Sequence, residues 1–289
     1  EDQKKIKDLC NGISTIYEPG LENLLKKGIK NGNLQFTNNL SEAVKDKEFI
    51  FLMFDTPVDK NDISDLSNIF KTIKNIAKYL QNNAVIWNTS QVPVGTSEEI
   101  LRIINEINPN VDISIAYTPE NLRLGQAIKL FLEPGLPLIG SDDSVALEKI
   151  ENLLKPLEIN WMKVNLRTAE VCKHALNSYL ASNITFANEL GNICDVVGAD
   201  GFAIAKALRL EPRISPKAML RPGMGFSGGT LARDVQTLRN IGDRYGIDTH
   251  LLDGLWQTNI YQNQFVIRKL KNIFGNLKDK TISILGITY

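Results

Sequence analysis

The chain has 289 residues with a hydrophobic fraction of 43% and a charged fraction of 23%, and its 33 basic side chains balance 33 acidic ones. This composition excludes collagen-like and disordered proteins, and the zero net charge gives no electrostatic reason to bind nucleic acid or an anionic membrane. Three scattered cysteines are too few for a disulfide framework or a zinc site, and no apolar run approaches the roughly 18 residues of a membrane span, so we expect a soluble protein of the reducing cytoplasm.

The first half of the chain alternates short apolar runs with amphipathic segments. The predicted strands cover residues 49–54, 84–88, 112–117, 136–140 and 160–164. The predicted helices cover 63–81, a stretch that opens at Gly95 and Thr96, and 143–154. Strands that alternate with helices indicate a parallel sheet with helices on both faces, so we expect a Rossmann-like, doubly wound α/β domain over residues 1–165.

The second half has a different pattern, which predicts an all-helical domain over residues 166–275. Its predicted helices cover 168–197, 200–209, 231–246 and 249–273, with a loop rich in Gly and Pro at 211–229. The apolar run within 279–289 predicts a strand, and residues 276–289 are expected to open a C-terminal α/β domain.

No G-x-G-x-x-G turn occurs near the start, where a doubly wound nucleotide-binding domain has one after its first strand. We therefore expect the sequence to be the middle of a longer chain that lacks the first βαβ unit. The same expectation applies to the other end, because the last predicted strand has no helix after it.

Two predicted turns follow strand ends, which is where the ligands of α/β sheets bind. The first is the turn 88–96, and the second is the turn 118–127 with Glu120, a carboxylate that can act as a base or orient water. Taken alone, the first turn is more often a plain strand-to-helix connection, and a single glutamate such as Glu120 is more often a solvated loop residue.

Two further segments carry charged groups. Lys173 and Asn177 share a face of the long helix, and a lysine there can stabilise a developing oxyanion, although an ordinary surface lysine has the same spacing. The loop 221–234 has four glycines in seven residues and leads into a helix whose free N–H groups favour anions. The alternative for this loop is a flexible linker with Thr230 as a helix N-cap.

In this order, the segments resemble motifs of the UDP-glucose/GDP-mannose dehydrogenase family of nucleotide-sugar dehydrogenases. The similar pairs are Ile16–Leu21 with p-I-x-E-P-G-L, Asp55–Pro57 with g-T-P, Ser90–Thr96 with S-T-V-P-V-G-T, Pro119–Ala127 with P-E-F-L-R-E-G-x-A, Glu170–Asn177 with E-x-x-K-x-x-x-N, Glu211–Ile214 with d-x-R-I, and Gly225–Asp234 with G-F-G-G-S-C-F-P-K-D.

The resemblance implies NAD as cofactor and oxidation of the C6 hydroxymethyl group of a UDP-sugar toward the uronic acid, as in polysaccharide biosynthesis. It implies a homodimer through the helix 168–197, a C-terminal UDP-binding domain, and no metal, nucleic acid or membrane partner. The implied catalytic residues are Glu120, Lys173, Asn177, Thr230 and Asp234. The implied substrate-binding residues are Leu122, Arg123, Arg213, Phe226, Ser227 and Gly228. The implied NAD-binding residues are Thr56, Pro57, Ser90, Gln91, Leu124 and Arg233.

The sequence departs from the family pattern where the family has its nucleophilic cysteine, because this position holds Thr230. A threonine hydroxyl is barely ionised at neutral pH and makes a poor leaving group. Cys172 adjoins Lys173 and therefore points about 100° away from it around the helix, so we do not expect it to replace the cysteine. The other departures are Gln91, Leu124, Ser227, Gly229, Ala232 and Arg233.

Three hypotheses remain. In the first, water adds to the aldehyde to give a hydrate, with Lys173, Asp234 and Glu120 as the acting groups. In the second, the enzyme stops after one hydride transfer or acts on another carbon of the sugar. In the third, the chain binds a nucleotide sugar without catalysis or pairs with an active homologue. The first requires that Lys173 and Asp234 converge on one carbon atom.

Overall fold

The structure is a computed structural model that describes residues 3–59, 63–227 and 230–286. It contains two compact units, which divide between Lys173 and His174. Within the described ranges, no helix combines the length and the apolar content that crossing a membrane requires.

The first unit is built on a five-stranded sheet whose strands follow one another in sequence order. Its strands are β1 (Phe49–Leu52), β2 (Ala84–Asn88), β3 (Ile113–Tyr117), β4 (Leu138–Gly140) and β5 (Met162–Val164). All five predicted strands of this half are therefore confirmed; β2 has the predicted bounds, and the other four are shorter than the apolar runs that predicted them.

The helices of the first unit alternate with these strands after a helical start. They are α1 (Gln3–Cys10), α2 (Leu21–Lys30), α3 (Leu40–Val44), α4 (Ser67–Ile76), α5 (Thr96–Ile107), α6 (Ala127–Leu132) and α7 (Ser144–Leu154), with short 3-10 turns at Ala77–Tyr79 and Lys155–Leu157. Helix α4 is shorter than the predicted helix 63–81. It begins where the carboxylate of Asp65 accepts a hydrogen bond of 2.9 Å from the backbone N–H of Ser67.

Helices cover both faces of the sheet, as the alternation of elements predicts. Side chains of β2 alternate between two hydrophobic clusters, because successive residues of a strand point to opposite faces. Ile86 packs with Ile69 of α4 and Ile100 of α5, whereas Trp87 packs with Ile150 of α7 on the other face. The doubly wound α/β architecture is confirmed.

The prediction of an all-parallel sheet is wrong for the pairing of β3 with β4. β1, β2 and β3 pair in parallel, as do β4 and β5, but β4 runs antiparallel to β3 through the pair Tyr117 and Gly140. A parallel connection needs a crossover that carries the chain back along the strand. Helix α6 has 6 residues, and at about 9 Å it is shorter than the roughly 17 Å of β3.

The second unit is helical, as predicted. The long helix α8 (Leu166–Val197) begins in the first unit and is followed by α9 (Gly201–Leu208), α10 (Leu231–Tyr245), α11 (His250–Asn263) and α12 (Phe265–Phe274). The single helix predicted over 249–273 is interrupted at Gln264. Its backbone N–H bonds to the carbonyl of Tyr261, three residues earlier, so the turn tightens there.

The strand predicted within 279–289 is wrong for the described residues, because residues 281–286 form neither helix nor strand. Ile284 and Leu285 are 73% and 92% exposed. A strand requires a neighbouring strand to satisfy its backbone groups, and in the described part of the chain none pairs with this segment. Residues 287–289 lie outside the described residues.

Candidate active site

Two hydroxyl groups of the predicted NAD-binding set, those of Ser90 and Thr56, form hydrogen bonds between the segments at the carboxyl ends of β1 and β2. The Ser90 hydroxyl donates to the carbonyl of Leu52 at 3.2 Å and accepts from the backbone N–H of Phe54 at 2.8 Å. The Thr56 hydroxyl donates to the carbonyl of Gln91 at 2.7 Å. Ser90 and Thr56 are buried, so both hydroxyls serve to shape this edge of the sheet.

A buried carboxylate occupies the N-terminus of α5. Glu170 of α8 accepts hydrogen bonds from the backbone N–H groups of Gly95 at 2.6 Å and of Ser97 at 3.0 Å. Burial raises the pKa of the Glu170 carboxyl, and these hydrogen bonds oppose the rise. The N–H groups that could have bound a phosphate are therefore already engaged by the chain itself.

Lys173, one turn further along α8, is anchored to the loop that follows β3. Its ammonium nitrogen Nζ lies 2.6 Å from the carbonyl oxygen of Glu120 and 2.8 Å from Oδ1 of Asn121. The Lys173 side chain is only 6% exposed. The Glu120 carboxylate is exposed and accepts a hydrogen bond from the backbone N–H of Leu122. The predicted catalytic residues Lys173 and Glu120 are thus in contact through the backbone carbonyl of Glu120 and not through its carboxylate.

Glu18 binds the later part of the same loop, a role that the sequence analysis did not assign. Its carboxylate accepts hydrogen bonds from the backbone N–H groups of Gly125 at 2.7 Å and of Ile128 at 3.3 Å. Glu18 is buried although it lies in a connection between helices. The only sequence signal was the Glu-Pro-Gly motif, in which a glutamate is followed by residues that break a helix.

The side chains between these anchors are accessible. Leu122, Arg123 and Leu124 are exposed, and Leu124 reaches 78%. Pro57, beyond the end of β1, is exposed as well. The structure therefore brings the predicted NAD-binding and substrate-binding residues of the first unit to the loops at the carboxyl ends of β1, β2 and β3.

In the second unit, Asp234 forms the centre of a buried polar cluster. It lies in the first turn of α10 and is 0% exposed. Nδ1 of His174 lies 2.8 Å from its Oδ1, and the amide Nδ2 of Asn177 donates to its Oδ2. The predicted pair Asn177 and Asp234 is thus in direct contact, and His174 is a member that the sequence analysis missed.

Amide side chains hold the glycine-rich loop in place. Asn188 of α8 accepts from the N–H of Gly223 at 2.7 Å, and Asn259 of α11 accepts from the N–H and donates to the carbonyl of Phe226, both at 2.9 Å. The Phe226 ring is buried in a hydrophobic cluster with Leu255. This predicted substrate contact therefore has a packing role in the loop.

The remaining predicted residues of the second unit are scattered along its loops and α10. Ser227 and Thr230 are exposed, Arg233 is buried, and Gly228 lies outside the described residues. Arg213 is exposed on a loop, where it forms an ion pair of 2.7 Å with Glu211. The predicted convergence of Lys173, in the first unit, with Asp234, in the second, stays a prediction.

The thiol of Cys172 lies against apolar side chains. Its side chain packs against the hydrophobic core of the first unit, and burial raises the pKa of its thiol. A thiol with a raised pKa supplies less thiolate at neutral pH.

Across residues 3–59, 63–227 and 230–286, no three His, Cys, Asp or Glu side chains are grouped so that they could hold a metal ion.

Comparison with known proteins places these features in one family. Residues 1–158 match the profile of the NAD binding domain of the UDP-glucose/GDP-mannose dehydrogenase family, and residues 167–261 match the profile of its central domain. The chain belongs to this family. The resemblance that the sequence motifs indicate is therefore confirmed.

Relatives of known name agree with the family assignment. UDP-glucose 6-dehydrogenase TuaD of Bacillus subtilis is 35% identical over 289 residues, which are 100% of this chain and 62% of that protein. UDP-glucose 6-dehydrogenase YwqF of the same organism is 34% identical over 100% of this chain and 66% of that protein. The chain thus spans less than two thirds of the length of both relatives.

Among solved structures, the UDP-glucose dehydrogenase of Pyrobaculum islandicum has the same fold. Its TM-score with this chain is 0.87 at 27% sequence identity, and the match covers 95% of this chain and 64% of that chain.

Proposed function

We propose that this chain is part of a cytoplasmic, NAD-dependent oxidoreductase that oxidises the C6 hydroxymethyl group of a UDP-sugar toward the uronic acid. The observation that carries the proposal is the Lys173 ammonium group, which is held against the Glu120 loop at the carboxyl edge of a doubly wound sheet. A fixed cation at this edge can stabilise the negative charge that develops on an oxygen atom during oxidation. Family membership supports the same reaction.

The residues at the carboxyl ends of β1 and β2 fit NAD. Thr56, Ser90 and Gln91 form a polar, internally bonded edge at the place where α/β sheets bind nucleotides. Exposed Pro57 and Leu124 offer apolar surface beside it, and we assign Arg233 to the cofactor as well. When bound, NAD accepts a hydride from the alcohol carbon. The N-terminus of α5 does not receive a phosphate in this assignment, because Glu170 occupies it.

We assign the other predicted residues to the substrate. Leu122, Arg123, Arg213, Ser227 and Gly228 would bind the nucleotide sugar. Asn177 and Asp234 would hold a water molecule that adds to the aldehyde carbon. In that step, the water oxygen bonds to the aldehyde carbon as the C=O double bond becomes single, Asp234 accepts a proton from the water, and the former carbonyl oxygen takes up a proton. The resulting hydrate would be oxidised to the acid with a second molecule of NAD.

Product counting separates this proposal from its alternatives. Purified full-length protein is supplied with NAD and one nucleotide sugar at a time (UDP-glucose, GDP-mannose or a UDP-N-acetylhexosamine), and NADH formed per sugar consumed is measured. Two NADH per sugar supports the four-electron oxidation, and one supports a single hydride transfer. No NADH together with measurable sugar binding supports a non-catalytic binding homologue.

The position of Thr230 is tested by restoring a thiol. The Thr230→Cys variant should form a covalent adduct with a substrate aldehyde, seen as a mass increase of the intact chain, because a thiolate adds readily to a carbonyl group. The wild-type chain is the matched control, since it carries the native thiols Cys10, Cys172 and Cys194. Absence of an adduct across the pH range would place residue 230 away from the reacting carbon.

We also propose that the protein is a homodimer through α8. Tyr179, Phe186 and Ile193 recur every seven residues along this helix and are 67%, 55% and 54% exposed. A regular apolar stripe on a helix is typical of a helix–helix interface. Phe186→Glu should shift the molar mass in light scattering from dimer to monomer, and Lys206→Glu, a charge change on α9, should not.

The cytoplasmic location is supported by the cysteines, because Cys10, Cys172 and Cys194 are free thiols and the first is exposed. Fractionation of the source cells should recover the protein with cytoplasmic markers. Recovery outside the cytoplasm would refute this part of the proposal.

A further inference from the structure

We propose that His174 is a positioning residue for Asp234: it holds this buried carboxylate in one orientation, ready to accept a proton from the water that adds to the substrate aldehyde. The inference rests on the proposed function only for the role of Asp234 in the reaction. The His174–Asp234 pair itself is a feature of the second unit.

The pair is buried. His174 is 1% exposed and Asp234 is 0% exposed, and Nδ1 of the imidazole lies 2.8 Å from Oδ1 of the carboxylate. We assign the proton between these atoms to Nδ1, because a carboxylate oxygen accepts hydrogen bonds and an imidazole N–H donates them. This arrangement requires an imidazole that is protonated at Nδ1, which is a definite and testable tautomer.

Asn177 completes the arrangement from the next turn of α8. Its amide Nδ2 donates to the second carboxylate oxygen, Oδ2. Each oxygen of Asp234 therefore has its own donor, and both donors come from one rigid helix. The carboxylate cannot rotate without breaking both hydrogen bonds, so His174 and Asn177 together hold its orientation.

Orientation matters here because no thiol is available at residue 230. The proposed step breaks an O–H bond of water, transfers that proton to Asp234 and forms a bond between the water oxygen and the aldehyde carbon, while the former carbonyl oxygen takes up a proton from solvent. A carboxylate is a weak base in water, with an ordinary pKa of about 3.9, so the rate depends on holding it at the right place. His174 supplies that constraint.

Nuclear magnetic resonance of the full-length protein can test the pair without any turnover, with the His174 signal identified by its absence in His174→Gln. His250, at the exposed start of α11, is the reference in the same imidazole nitrogen spectrum. We expect His174 to carry a proton on Nδ1, either as that neutral tautomer or as the imidazolium. A neutral ring with its proton on Nε2 would overturn the proposal, since Nδ1 could then bond only to a protonated Asp234.

Matched substitutions test the positioning role. In Asn, the amide nitrogen is as many bonds from Cα as Nδ1 of His, whereas in Gln it is one bond further away. His174→Asn should therefore keep kcat within about threefold, and His174→Gln should lower it by about ten- to a hundredfold with little change in KM, a typical effect of losing a supporting hydrogen bond. Equal losses in both variants, at unchanged melting temperature, would contradict the proposal.

A double-mutant cycle shows whether His174 acts through Asp234. If it does, His174→Gln should lower kcat in the wild-type background but by less than about twofold in an Asp234→Asn background, since coupled residues are not additive. Fully additive losses would overturn the positioning role. If the wild-type protein oxidises no nucleotide sugar, the proposed function fails, and the tautomer measurement still decides the His174–Asp234 pair.

Discussion

Lys173 donates a hydrogen bond of 2.6 Å to the backbone carbonyl of Glu120, while the carboxylate of Glu120 turns back to the N–H of Leu122. The cation is thus bound to the main chain of the loop and not to the carboxylate. Replacing the Glu120 side chain should leave Lys173 anchored, so the contributions of the two residues can be separated by mutation.

Lys173→Ala should lower kcat by about a hundred- to a thousandfold with a much smaller effect on substrate binding, because a donor to a developing oxyanion acts mainly in the transition state. Steady-state kinetics and calorimetric substrate binding measure the two effects. Lys71→Ala, an exposed lysine on α4, is the control and should leave both unchanged. Unaltered turnover in Lys173→Ala would remove this residue from the site.

Glu18→Gln should destabilise the loop that carries the predicted substrate contacts. Gly125 donates to Oε2 and Ile128 to Oε1 of Glu18, and an amide keeps only one of these two acceptors. A buried backbone N–H without its partner costs about 1–3 kcal/mol. Urea unfolding measures the change in the free energy of unfolding, and limited proteolysis at residues 121–127 reports the loop itself. Glu22→Gln, an exposed change on α2, should alter neither result.

Glu170 and Glu98 should give opposite pH dependences of stability. Burial raises the folded-state pKa of Glu170. The contribution of Glu170 to the free energy of unfolding is therefore complete below the pKa of an unfolded glutamate, about 4.3. It is lost as the pH rises through the pKa of Glu170 in the folded state. The hydrogen bond from Arg167 lowers the pKa of Glu98, so that contribution is present above the unfolded pKa and is lost as the pH falls through the folded value.

Thermal unfolding of Glu170→Gln and Glu98→Gln from about pH 3 to about pH 7, a range that extends below the ordinary glutamate pKa, tests this contrast. The stability of wild type relative to Glu170→Gln should decrease as the pH rises. Relative to Glu98→Gln, it should decrease as the pH falls. Parallel curves for the two variants would mean that Glu170 is not desolvated in the way that its burial indicates.

Gly225→Ala should destabilise the second unit, because a Cβ at this position would overlap Oδ1 of Asn263 and lie 2.6 Å from Oδ1 of Asn259. Forcing a methyl group into such a contact costs about 1–3 kcal/mol. Gly223→Ala is a matched control in the same loop, where a Cβ meets none of the described atoms within 4 Å. Similar unfolding midpoints for both variants would refute the close approach of Asn259.

The elements that could be predicted from the sequence are those with a local signal. β2 is confirmed over residues 84–88. Its apolar run is short, and a helix start signal at Gly95 follows soon after it. The strand predicted near 279–289 fails because periodicity reports a side-chain pattern and not the presence of a partner strand. The helix break at Gln264 could not be predicted, because no Gly or Pro marks it in the sequence. It results from one turn in which the N–H of Gln264 bonds to the carbonyl of Tyr261.

The sequence by itself determined the order of strands and helices, because hydrophobic periodicity and turn chemistry act between near neighbours. The resemblance of its motifs indicated the family. Only the tertiary structure decided which atoms meet within those motifs. Lys173 bonds to a carbonyl 53 residues earlier, Glu18 to an N–H 107 residues later, and His174 to a carboxylate 60 residues later. Such contacts depend on how helices and loops pack around buried polar groups, and no spacing along the chain encodes that geometry.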